Sequence, residues 1–93
     1  MPEKDSIQDT LKERGKRYGE FKDQSKITQA LKDVMTSCGD KYGRLSDDKK
    51  EALEMIALKI GRILNGDPEY KDSWRDIAGY ATLVADTLED DEK

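Results

Sequence analysis

A chain of 93 residues is enough for one domain, and this one has 34% apolar and 41% charged side chains with a formal net charge of −4. Histidine is absent and there is one cysteine, which excludes Ser-His and Cys-His nucleophilic sites, a histidine general base, an internal disulfide and a structural zinc site. With neither a phosphate-cradling glycine loop nor a dinucleotide fingerprint, any catalysis falls to carboxylates, lysine or tyrosine, and any metal to a hard, oxygen-bound ion such as Mg²⁺.

Leu, Ile, Val and Phe together make up less than a fifth of the chain, a composition that leans toward disorder. The low net charge and the strong periodicity of the apolar residues argue the other way. The expectation is a folded chain with a small core in residues 50 to 88, for which self-association is a common remedy, hence a homo-oligomer. The 17 basic residues are interspersed with 21 acidic ones. No basic face emerges, so no nucleic-acid partner is expected. There is no apolar run of membrane-spanning length and no signal-peptide pattern, and a single cysteine fits a reducing compartment. These point to a cytoplasmic protein with no membrane partner.

In chain order, residues 6–16 ("SIQDTLKERGK") predict a short helix with Ile7 and Leu11 on one face and Gly15 ending it. "RYGEFKDQ" then predicts a connector, with Ser25 capping a helix over 25–38. Ile27, Leu31, Val34, Met35 and Cys38 keep helical spacing there. Gly39 suits the left-handed residue beyond its end, and Cys38 reads as a small core residue. After a second connector, "GDKYGRL", Ser46 caps a helix over 46–65 with Asp47 and Asp48 in its dipole-favoured first turn. Asn65, Gly66 and Pro68 stop it. The last helix spans 72–89 and precedes an acidic tail, 90–93. "RYGEFKD" and "KYGRLSD" echo one another, which ordinary turn chemistry explains. With no strand pattern, the fold expected is all-α: three main helices, a short N-terminal helix, and an antiparallel C-terminal hairpin.

Gly61 and Gly79 sit inside the hairpin's helices, where each costs about 1 kcal/mol relative to Ala. Close helix approach is the expected reason. At about 100° per residue, Ala52, Leu53, Ile56, Ile60 and Ile63 form the inner arc of the third helix. Trp74, Ile77, Ala81 and Val84 form that of the fourth, with Trp74 as a core anchor. Met35 and Met55 read as core or interface. Leu58 lies opposite the arc and predicts a second packing surface. The two-fold relation of an antiparallel pair brings Lys59, Arg62, Asp72, Asp76 and Tyr80 to one edge, with Glu51 further along. That edge reads either as an ion-pair network or as a site. As a site, Lys59 and Arg62 would meet phosphate or carboxylate, the acids Mg²⁺ or a hydroxyl, and Tyr80 or Trp74 would offer a ring.

"KIGRILNGDPEYKDSWRDIAGYATL", with its Lys-x-x-Arg and Asp-Ser-Trp-x-Asp-Ile-Ala-Gly-Tyr-Ala pattern, resembles the C-terminal signature of a small all-helical phage and prophage family of unknown function. "ERGKRYGEF" resembles that family's N-terminal element. More remotely the chain is similar to MazG-like all-α nucleotide pyrophosphohydrolases. That resemblance implies that Glu51, Glu54, Asp72 and Asp76 hold Mg²⁺, although the second acid pair is one residue too widely spaced and Lys59 and Arg62 stand where acids are wanted. Together these readings predict a non-catalytic phage-type accessory protein, needing no cofactor and residing in the host cytoplasm if phage-encoded. Its partner would be a host protein or a small nucleotide-like ligand. The alternative is a MazG-like Mg²⁺-dependent pyrophosphohydrolase, or a nucleotide-binding relic of one.

Overall fold

The computed structural model describes residues 2–88. They form four α-helices and one short 3-10 turn, with no strand among the described residues, so the all-α bundle expected from the periodicity is what forms. The elements are α1 (Pro2–Tyr18), α2 (Phe21–Ser37), a 3-10 turn (Tyr42–Arg44), α3 (Asp47–Asn65) and α4 (Lys71–Ala85). The expected acidic tail and the last residue of the expected 72–89 helix lie outside the described residues.

α3 is the spine, with α2 packed on one flank and α4 on the other. Leu58, opposite the α4-facing arc, looks onto α2, which is the second packing surface its position predicted. Gly61 also faces α2. A Cβ there would collide with Thr28 Oγ1 and crowd Gln24. Gln24 and Thr28 are buried at this crossing and satisfy each other, Gln24 Nε2 donating to Thr28 Oγ1 at 2.8 Å. Close approach thus explains Gly61, through α2 rather than α4. It does not explain Gly79, around which a Cβ would meet open space.

The first two helices are longer than expected, and their connector is shorter. Gly15 does not stop α1. Gly19 does, with a φ of 77° that disfavours a side chain. Pro2 suits a first helical position because its missing N–H has no intrahelical acceptor to lose. α2 then begins at once, with Glu20 as its N-cap. Ser25, the expected cap, lies inside the helix and donates to the Phe21 carbonyl at 2.7 Å. Gly39 takes a φ of 110° after α2, as its position predicted. Ser46 caps α3 by position, but its hydroxyl turns to Asp48 at 2.6 Å rather than to the backbone. The "YGEF" and "YGRL" echo is not a structural repeat. Gly19 is a left-handed turn residue, whereas Gly43 lies within the 3-10 turn and has a negative φ.

The core is small. Ala52, Ala57 and Ile63 are its buried apolar residues, and among the described residues no large side chain is fully buried. Cys38 is exposed, not a core residue, because it lies past the end of α2 as its C-cap. Trp74 is 54% exposed and Ala81 is exposed, so neither anchors the core. Ile77 and Val84 of the expected arc do turn inward, and Ser73 and Tyr80 take the places expected of Trp74 and Ala81. The radius of gyration is 16.2 Å, against about 12 Å for a compact chain of this length. The long dimension of 56 Å is close to the summed lengths of α3 and α1, about 28 and 25 Å at 1.5 Å per residue.

Candidate functional site

The predicted edge forms only in part. Lys59, 8% exposed, points its ammonium at Asp76 across the hairpin, Nζ to Oδ2 at 3.0 Å. This pair joins α3 to α4, although counting turns from the expected helix ends at 65 and 72 sets Asp76 level with Arg62 and Lys59 level with Tyr80. Arg62 does not join it. One turn further along α3, its guanidinium lies over the ring of Tyr18, 4.2 Å from the centroid. Asp72 accepts a hydrogen bond from the Tyr70 hydroxyl at 3.1 Å. Trp74 donates its indole N–H to the Pro68 carbonyl at 2.8 Å, which holds the interhelical turn against the first turn of α4. Tyr80 lies half-buried beside Glu51 and Ala52, further along the same flank.

Glu54 faces away from this edge and accepts the Tyr42 hydroxyl at 2.7 Å. That bond, then burial and the charges of Glu54 and Glu51, raise the phenol above its ordinary value of 10.0. Glu51, Glu54, Asp72 and Asp76 therefore do not converge. Among the described residues no three acids or cysteines gather closely enough to hold a metal ion.

A second constellation lies where α1, α2 and the α3–α4 turn meet. Tyr18 and Tyr70 pack edge to face, with centroids 6.0 Å apart at 72°. Arg17 covers Tyr70 at 4.8 Å, so in the order Arg62, Tyr18, Tyr70, Arg17 a pair of rings lies between two cations. Burial chiefly, then the bond to Asp72, raises the Tyr70 phenol above 10.0, while Arg17 opposes. Asn65 Nδ2 donates to the carbonyls of Tyr18 at 2.9 Å and Glu20 at 3.0 Å. The Asp67 N–H donates to the Arg17 carbonyl at 2.6 Å. Gly19 and Gly66 make this junction possible. A Cβ on the first would strike Asn65, and one on the second would strike the Arg17 carbonyl and the Tyr18 backbone.

Arg17, Tyr18, Asn65 and Tyr70 were absent from the sequence-derived edge. Their signal was present as two turn dipeptides, Tyr-Gly and Asn-Gly, inside the two motifs that carry the family resemblance. Read singly, each dipeptide predicts only a local turn. The structure brings the two motifs into one contact.

The chain matches one family over residues 5–88, a domain of unknown function (DUF6378). Comparison with curated proteins and with solved structures finds no match. The family match takes in α1 through α4, both motifs and the junction between them, and the chain belongs to the DUF6378 family.

Proposed function

We propose that this protein works by binding rather than by catalysis, as a small phage-type accessory protein acting on a host protein, and that it does so as a homodimer paired through α4. The observation that carries the reading is a seam on α4. Trp74, Ala78, Ala81 and Ala85 of α4, with Leu88 in the turn beyond its end, are exposed and follow one another at alternating intervals of four and three. That is the a/d spacing by which one helix seats against another.

The seam fits a second copy of itself. Turned antiparallel about Ala81, Trp74 of one copy faces Leu88 of the other, and Ala78 faces Ala85. Large ends then meet large ends, and the small centre lets the backbones approach. Such a self-complementary patch is what a two-fold dimer requires. The charged edge supports a structural role, since Lys59 and Asp76 engage each other and Asp72 is held by Tyr70. The host protein would then meet surfaces that the dimer leaves free.

Sedimentation velocity tests the pairing. The wild-type chain is expected to shift from monomer to dimer as its concentration rises through the micromolar range. Ala81→Glu places two like charges on the axis and is expected to hold the chain monomeric with unchanged helical circular dichroism. A wild-type chain that stays monomeric throughout would sink the reading. Retention on the immobilised dimer of one host protein, lost on competition with free protein, tests the second half.

A further inference from the structure

We propose that the corner between α1 and α2 is a binding site for a small organic anion that carries a planar ring. The proposal goes beyond dimer formation at α4 and involves none of the same residues. A cavity of about 590 Å³ opens at this corner, within the range that takes small ligands. Arg14, Lys22 and Arg62 line it, and none of the three is in an ion pair among the described residues. Acidic residues outnumber basic ones in this chain, so three unpaired cations around one cavity call for an anion. Glu20 is the acid in the lining, which leaves a local excess of two positive charges.

Two further features favour an anion. α2 begins at the cavity wall, and the first N–H groups of a helix have no intrahelical acceptor. Its dipole therefore adds positive potential there. Arg62 also keeps a buried Nε–H without an acceptor among the described residues. The apolar part of the ligand is set by Tyr18, Leu11 and Phe21. Phe21 is 78% exposed at the rim, a ring left in water with nothing stacked on it. Gly15 leaves the floor open, since a Cβ there would meet nothing.

The test is a titration of the full ¹⁵N-labelled chain with phenyl phosphate, followed by amide chemical shifts, alongside inorganic phosphate and benzyl alcohol. Phenyl phosphate is expected to give saturable shifts confined to residues 11–24 and 62, with a dissociation constant below about 1 mM. Phosphate alone should bind at least about fivefold more weakly, and the neutral alcohol more weakly still. Arg14→Ala combined with Lys22→Ala removes two exposed, unpaired side chains, so its spectrum should stay that of a folded chain. Its affinity should fall about tenfold or more. No saturable shift by about 10 mM, or equal affinity in the double variant, would overturn the proposal. Equal affinity for phosphate and phenyl phosphate would remove the ring from it. A monomeric chain that still binds would refute the dimer alone, and a dimer that does not bind would refute the site alone.

Discussion

Lys59 occupies a position where its neighbours on α3 are apolar, and it survives there because Asp76 reaches across from α4. The two sides of the pair are unequal. The lysine is buried, while the Asp76 side chain is 46% exposed. Removing the acid strands a buried ammonium, so Asp76→Ala should cost about 1–3 kcal/mol. Replacing the lysine by an apolar side chain of similar length frees a half-exposed carboxylate to meet water. Lys59→Met should therefore change stability by less than about 1 kcal/mol. Urea denaturation of the two variants measures this asymmetry, and equal losses would refute it. A second residue-scale effect concerns alkali. The Tyr42 phenol titrates higher in the folded chain than in the unfolded one, so its contribution is present below pH 10.0 and is lost as pH rises through the raised folded value. Tyr42→Phe lacks that contribution, and its thermal midpoint should fall less than the wild type's between about pH 9 and 12. A steeper fall in the variant would refute the assignment.

Glycines separate the elements that touch from those that do not. Gly66 admits the backbone of Arg17 and Tyr18, whereas Gly79 faces open space on the outer side of α4, away from the seam. Gly66→Ala should lose about 2 kcal/mol or more, because backbone cannot yield as a side chain would. Gly79→Ala should gain about 1 kcal/mol from helix propensity alone. In a domain of this size that is a rise of about 4–8 °C in midpoint. Calorimetry of both reads the contrast, and a destabilised Gly79→Ala would mean that a further partner covers that face. The helices themselves were legible in the sequence, because periodicity and caps such as Ser46, Gly39 and Pro68 act within a few residues. The α1–α2 joint was not. Its conformation depends on Asn65, which binds the Tyr18 carbonyl from 47 residues away, and no local pattern carries that information. The expected cap at Ser25 failed for the same reason, since the turn at Gly19, held by Asn65, puts the N-cap at Glu20 and starts α2 at Phe21.

At the scale of the whole molecule the sequence predicted a small core, and the core is small. Exposed large apolar residues include Ile7, Leu11, Phe21, Leu64 and Trp74, beside three buried apolar residues among those described. That Lys59 and Asp76 share one edge was legible because an antiparallel pair brings same-handed borders to one side, but their level was not, since the count from the expected helix ends matched Asp76 with Arg62. The rest of the edge was not, because Arg62 found a ring on α1, an element whose docking geometry nothing local specifies. The cation-lined cavity escaped for the same reason. Arg14, Lys22 and Arg62 come from three different helices, and only the tertiary fold makes them neighbours.

The junction that holds the last turn of α1 also fixes an order of events during synthesis. Tyr18 and Arg17 leave the ribosome well before Asn65, Asp67 and Tyr70 exist to receive them. At roughly 5–20 residues per second the wait is about 2–10 seconds. Through that interval α1 lacks its partner on α3, and Ile7 and Leu11 are in water, as they still are once the helix has docked. Docking then comes as one late step, when the turn after α3 emerges and closes on a helix that was made first.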